Sequence, residues 1–444
     1  MVLRYNIFRL FLSFLLSISA ITFLAAQEHG ATPAPASNTE HHVVDSAGAN
    51  HSTEMHADVD HNSAHAEGGH EEEPFSPGET ALHHIADANS FHIFGDVYMP
   101  LPCFLYAPNF GWTIISSTSK FDAHHHGTGT KAIDGYVMEH GEVKRVNDES
   151  FPKGEVMIGE FSHVKDTTGG KEKVTSFIEY QGKTYQLDKK TTWDGGLMGG
   201  GTTSYYDFSI TKNVFTLLLT FFFLIFILTK AAKAYATRPN QAPRGIQGFI
   251  EPIYIFIRDE VAKPMIGPKY EKYMPYLLSA FFFILGLNLI GQIPFFPGSA
   301  NVTGNISITI VLAIITFIIV NLSGNKHYWE HTLWMPGVPS VLKILILTPV
   351  EILGIFLKPF TLLLRLFANI TAGHIVIISF VSLIFIFGKA GESIGGSTVG
   401  AVISVPLTLF MLAIELLVAF LQAFIFTMLS ASYIGAAIEE PHHH

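Results

Sequence analysis

The feature that most constrains this chain is a series of apolar stretches between residues 208 and 438. A helix needs about 20 apolar residues to cross the hydrocarbon of a bilayer. Inside lipid, only helices and closed barrels satisfy their own backbone groups. Residues 214–232, 275–293 and 306–322 each read as one crossing. Residues 342–387 are too long for one perpendicular crossing and are interrupted by Pro349, Gly354, Pro359 and Gly373. Residues 402–438 are also longer than a perpendicular helix requires. The expected fold class is therefore an all-α integral membrane protein of five passages, the last two long tilted helices forming a hairpin. A small β-rich extracytoplasmic insert precedes them.

Composition agrees with lipid as part of the solvent. Only 14% of the residues are charged, against about a quarter in soluble domains. A net charge of −10 argues against nucleic-acid binding. The single cysteine, Cys103, excludes an internal disulfide and a cysteine-based metal site.

The first 26 residues read as a secretory signal, with Arg4 and Arg9, an apolar core over 10–24 and Ala25-Ala26 before the cut. A retained first span is the alternative. Residues 27–80 hold eight histidines without fixed spacing or apolar period and read as a disordered linker. The run His124-His125-His126 is read as solvated in the same way, and no metal site or cofactor is expected. Residues 81–207 form the β-rich extracytoplasmic domain, with alternating stretches at 133–137, 156–161, 174–180 and 184–187. Gly170-Lys171 lacks the glycine spacing and the Ser/Thr of a phosphate loop.

Loop charges set the orientation. Residues 230–273 carry eight basic side chains against four acidic ones, whereas 294–304 carry none. The positive-inside rule makes 230–273 cytoplasmic and 294–304 external. This places the N-terminal domain outside and the C-terminus inside. Within 230–273, residues 246–266 read as an amphipathic helix, lying on the inner surface or packed on a partner subunit.

Ionisable groups inside spans are costly and tend to be functional. Here they gather in the last two segments, as Glu351, Lys358, Arg365, Asn369 and His374, then Glu415 and Gln422. Glu351, Lys358 and Arg365 lie seven apart, almost two turns, and form one stripe that Asn369 extends. His374, nine beyond Arg365, points away from it on an ideal helix. Thr408, Glu415 and Gln422 repeat the seven-residue spacing on the last helix. A guanidinium stays charged and cannot relay a proton, but it can hold a carboxylate ionised. Histidine and glutamate can pass protons. The set reads as a proton path with a fixed-charge gate; a pair between Arg365 and Glu415 is the structural alternative.

Lys358-Pro359-Phe360-Thr361-Leu362-Leu363-Leu364-Arg365-Leu366-Phe367-Ala368-Asn369 resembles the arginine signature of subunit a of the bacterial F-type ATP synthase. Leu421-Gln422-Ala423-Phe424-Ile425-Phe426 resembles that family's C-terminal signature. Weaker matches are Leu287-Asn288-Leu289-Ile290-Gly291-Gln292-Ile293-Pro294, residues 301–312, Glu439-Glu440, and His83-His84 with Phe91. The match covers 205–440 well and 82–95 weakly; 208–440 is then the membrane proton-channel domain. Many bacterial members carry an acid at the position of His374 and a histidine at that of Glu415. The pair is exchanged here. The resemblance implies a non-nucleotide-binding subunit of the proton-transporting synthase in the bacterial inner membrane. It implies partners too: a c-ring, the subunit b peripheral stalk, the remaining synthase subunits and membrane lipid. Arg365 becomes the essential gate facing a c-ring carboxylate. His374, Glu415, Asn288 and Asn369 line the outer half-channel, with Gln422 at its inner limit and Glu351 in the inner one. Proton against sodium coupling stays open, and so does the insert, as a structural contact with neighbouring subunits or an idle addition. A secondary transporter would show more spans and an internal repeat. A mere anchor for the β-rich domain leaves the intramembrane stripe unexplained.

Overall fold

The computed structural model describes residues 86–439 except 95–96, 125–126, 167–172, 192–202, 240, 294–297, 299, 334–339 and 390–392. The signal, the His-rich linker, His83-His84, His125-His126, Gly170-Lys171 and the terminal histidines lie outside the described residues.

Residues 90–207 are β-rich, and every strand pair among the described residues is antiparallel. Strands β1 (Ser90–Phe94) and β2 (Val97–Pro100) pair with each other. Strands β3 (Cys103–Ala107) and β4 (Gly111–Ile115) form a hairpin, and short β5 (Ala123–His124) and β6 (Thr128–Gly129) another. The larger sheet uses β7 (Lys131–Ile133), β8 (Tyr136–Glu139), β9 (Glu142–Val146), β10 (Glu155–Met157), β11 (Phe161–Asp166), β12 (Lys173–Tyr180) and β13 (Lys183–Asp188). Its order is β10-β7-β8-β9-β13-β12-β11. The final strand, β14 (Tyr206–Asp207), adds to β3.

The turns explain the hairpins. Asp134-Gly135, His140-Gly141 and Gln181-Gly182 all have positive φ at both positions, the requirement of a two-residue turn matching strand twist. This corrects two sequence expectations. Residues 133–137 are not one strand, because Asp134-Gly135 folds the chain back between β7 and β8. Residues 156–161 are likewise split, between the ends of β10 and β11. Successive residues of β8 point to opposite faces and both faces are covered. Tyr136 and Met138 join Cys103, Leu105 and Phe121, while Val137 joins Ile178 and Leu187.

Helix α1 (Lys212–Thr237) starts from a Thr211 cap whose hydroxyl accepts the Val214 N–H. The β domain is seated on this end. Lys212 N–H donates to Ala88 O at 2.8 Å and Asn213 N–H to Asp87 Oδ1 at 3.2 Å. Phe91 packs edge-on against Phe215, 5.5 Å between centroids. Burial pushes the Asp87 carboxyl up, and the nearby Lys190 and Lys212 charges pull against it.

Helix α2 (Ile246–Phe256) runs through a π turn, Ile257–Ala262, into a last turn, Lys263–Ile266. Gly267 at φ +73° then redirects the chain into α3 (Tyr270–Gly291). Ile257, Val261, Ala262 and Ile266 are buried in the helical core. One face of the segment expected on the membrane surface or on a partner thus packs on this chain, while Phe249, Tyr254 and Ile255 stay exposed. Helices α4 (Ile306–Ser323) and α5 (Lys326–Leu333) precede the long pair α6 (Thr348–Phe387) and α7 (Ile394–Ile438), which pack antiparallel. Small residues bring that pair together. A Cβ on Gly400 would stand 2.9 Å from Ile384 Cα, and one on Gly396 would stand 1.9 Å from the Phe387 carbonyl oxygen. Five helical stretches among the described residues are long and apolar enough to cross a membrane: Lys212–Thr237, Ile246–Gly291, Ile306–Ser323, Ile344–Phe387 and Ile394–Ile438.

Candidate functional site

The polar groups of the helical region fall into two clusters along the α6/α7 hairpin. The first lies toward the α6/α7 loop. Glu415 on α7 is 3% exposed, and its Oε1 lies 3.8 Å from His374 Nδ1 on α6. Gly373 makes this approach feasible, because a Cβ there would lie 2.8 Å from Glu415 Oε1. Neither Glu415 carboxyl oxygen has a hydrogen-bond partner among the described residues, and the buried Thr408 hydroxyl one seam position away has none either. Buried polar atoms without a donor or acceptor are rare in folded proteins and call for an explanation. The Lys212 ammonium, at the head of α1, is near enough to act electrostatically on His374.

Helix α3 fastens this end of α7 through its backbone. Asn288 Nδ2 donates to Ala419 O at 3.2 Å and Gln292 Nε2 to Glu415 O at 2.8 Å. Thr303 Oγ1 donates to Asn288 Oδ1 at 2.7 Å, tying in the buried loop after α3. Asn288 thus bridges α7 and that loop. Gln292 lies four residues beyond it on the same helical face; that spacing is the signal by which the sequence could have singled it out.

The second cluster lies toward the start of α6. Lys358 Nζ sits over the rings of Tyr433 and Tyr328, 5.7 Å and 6.0 Å from the centroids. Pro359, Leu362, Thr316 and Asn321 line the same recess. Burial pushes the Tyr328 hydroxyl up, and the neighbouring Glu351 charge pushes it the same way. Neither tyrosine was singled out from the sequence. Tyr433 is separated from Lys358 by most of the hairpin, and no local period reports such a pair.

Arg365 lies between the clusters. Gly373 faces Glu415 and Lys358 faces Tyr433, so the antiparallel register puts Arg365 within one turn of Gln422. Arg365 is half-buried, with Leu362, Leu363 and Leu366 buried beside it. No ion pair to Arg365 occurs among the described residues; Glu415, the alternative partner, is apposed to His374 instead. Tyr433 lies within electrostatic range of the guanidinium. Thr361, Leu364, Ala368, Asn369 and Ala372 are exposed around it, a face of mostly small or polar residues at helical spacing. Gln422 is buried on α7. The structure therefore brings His374, Glu415, Asn288 and Gln292 to one end, places Glu351 at the other, and leaves Arg365 and Asn369 on an open face between.

A family model described as ATP synthase A chain matches residues 213–435. A second, a domain of unknown function, matches residues 80–166. ATP synthase subunit a 2 of Chlorobaculum tepidum is 44% identical over 238 residues, covering 52% of this chain and 64% of that protein. The chain thus spans just under two thirds of that relative. ATP synthase subunit a of Chloroherpeton thalassium is 43% identical over 244 residues, covering 54% and 69%. ATP synthase subunit a of Anaeromyxobacter dehalogenans is 41% identical over 335 residues, covering 71% of this chain and 80% of that protein. Such a length exceeds everything from residue 208 onward, so this alignment extends into the β-rich segment.

Proposed function

The chain belongs to the ATP synthase A chain family, and from that premise we propose that it is the proton-channel subunit of the synthase's membrane sector. It works against a rotating ring of c subunits, is held by the subunit b stalk, binds no nucleotide itself, and couples the proton gradient to ATP synthesis. The orientation in the bacterial inner membrane is that of the loop charges, with the β domain outside and the C-terminus inside.

Protons enter by an outer half-channel past His374 and Glu415. Asn288 and Gln292 hold the helices around it, with Asn369 and Gln422 along its course. The proton neutralises a ring carboxylate, which can then face lipid without the cost of a bare charge. It leaves by an inner half-channel beside Glu351. Arg365 stays charged throughout, stabilises the ionised ring carboxylate and blocks direct leakage between the two halves. The driving force is about 2.3 kcal/mol per charge per 100 mV.

One observation carries this reading: Arg365 lies in a leucine-rich span without an acidic partner among the described residues, while Glu415, the buried carboxylate of the hairpin, is apposed to His374. A fixed cation on an open face requires an external anion. The test is Arg365→Gln in membranes carrying the whole synthase. ATP-driven proton pumping should fall to background with assembly intact; retained pumping sinks the proposal. Sodium-dependent ATP synthesis would overturn the choice of the proton.

A further inference from the structure

The β domain contains a further cluster of ionisable groups, unconnected with the helices. Glu139 at the end of β8, His140 in the following turn and His163 on β11 each offer a ligand atom, and these atoms lie within 4.8 Å of one another. Glu139 is 1% exposed and its Oε1 has no hydrogen-bond partner among the described residues. We propose that these three side chains form a binding site for a first-row divalent transition-metal ion such as Zn2+.

The donor set fits such an ion, with the carboxylate buried and both imidazoles exposed. Two imidazoles and one carboxylate are a recurrent zinc set that leaves a fourth position for water. Two ligand atoms each about 2.05 Å from a tetrahedral ion stand about 3.3 Å apart. Glu139 Oε1 and His163 Nε2 are separated by 3.4 Å. The surrounding contacts aim both ligands inward. Lys144 Nζ donates to the other carboxyl oxygen, Glu139 Oε2, and to Ser176 Oγ at 3.0 Å. Ser176 Oγ lies 3.4 Å from His163 Nδ1, so the Nδ1–H can donate to that hydroxyl oxygen and leave Nε2 unprotonated toward Glu139. Supporting contacts of this kind fix the tautomer and orientation of metal ligands. The His140 and His163 rings stack 6.5 Å apart.

The topology adds a purpose. Strands β8 and β11 stand four positions apart in the sheet, about 19 Å if it were flat. Glu139 and His163 nevertheless meet, so this end of the sheet curls until its distant strands touch. An ion held by Glu139, His140 and His163 would staple the curl shut. The alternative is an imidazolium–carboxylate pair that needs no ion.

The test uses the purified full-length chain with Zn2+ as probe, and diethyl pyrocarbonate modification of histidine read residue by residue. His163, 41% exposed, is expected to react freely without Zn2+ and at least tenfold more slowly with it, with His140 protected at the same concentration. Equal modification of His163 in both conditions overturns the site. In an equilibrium titration, His163→Ala should lose one equivalent from the tight class relative to the unaltered chain. Unchanged stoichiometry and affinity would assign all binding to the other histidines and overturn it too.

Discussion

Gly373→Ala tests the outer half-channel with one methyl group. The added Cβ would sit 2.8 Å from Glu415 Oε1, 3.3 Å from its Cδ and 3.5 Å from its Cγ. An ordinary carbon–oxygen contact is about 0.5 Å longer than the first of these. The backbone of a packed helix pair moves less readily than the end of a side chain, so the carboxyl group must swing aside. A χ change of the needed size costs about 0.5–1.5 kcal/mol, and the swing breaks the 3.8 Å approach to His374. If that approach lies on the proton path, the barrier rises by a similar amount, a slowing of about two- to thirteenfold. The assay is ATP-driven proton pumping in inverted membrane vesicles, normalised to assembled synthase. Gly395→Ala is the control: nothing lies within 4 Å of its Cβ, and it should pump normally while gaining a few tenths of a kcal/mol in helix stability. Full-rate pumping by Gly373→Ala would refute the reasoning, because the path would then be indifferent to the position of Glu415.

Other expectations follow from single contacts. Gly435→Ala would put a Cβ 1.9 Å from the Met265 carbonyl oxygen; backbone must shift, and a loss of about 1–3 kcal/mol should appear as a lower melting temperature in detergent. Asn288→Leu removes its bonds to Ala419 and Thr303 and should cost about 0.6–1.7 kcal/mol per bond by the same measurement. Exchanging His374 and Glu415 should recover part of the pumping lost in either single replacement. Cys103 is fully buried, and burial, reinforced by the Asp207 charge, pushes its thiol up to about 12. The thiol should therefore resist alkylation at neutral pH in the folded chain and react once unfolded.

The membrane half was largely legible because its signals are local. Long apolar runs report spans, and seven-residue spacing reports the stripe through Arg365. The proximity of His374 and Glu415 was anticipated only through family likeness, since 41 residues separate them in sequence. Tyr433 escaped for a related reason, since its partner Lys358 lies 75 residues away. The β domain was read correctly as β-rich and poorly in detail, because a positive-φ turn such as Asp134-Gly135 is shorter than the alternation it interrupts. Nothing in the sequence shows that β8 and β11 curl together.

The length of α6 has a consequence for where protons can go. Its 40 residues make a rod of about 60 Å, and hydrocarbon is about 30 Å thick. A rod that long cannot stand upright within that layer; it leans, or its ends reach into the interfaces. Glu351 and His374 stand about 35 Å apart along the rod, and any lean turns part of that length into a sideways offset. If His374 and Glu351 mark the two half-channels proposed above, the entry and exit of a proton are displaced sideways from each other. On that reading, carrying the proton across the offset falls to a partner that moves in the plane of the bilayer.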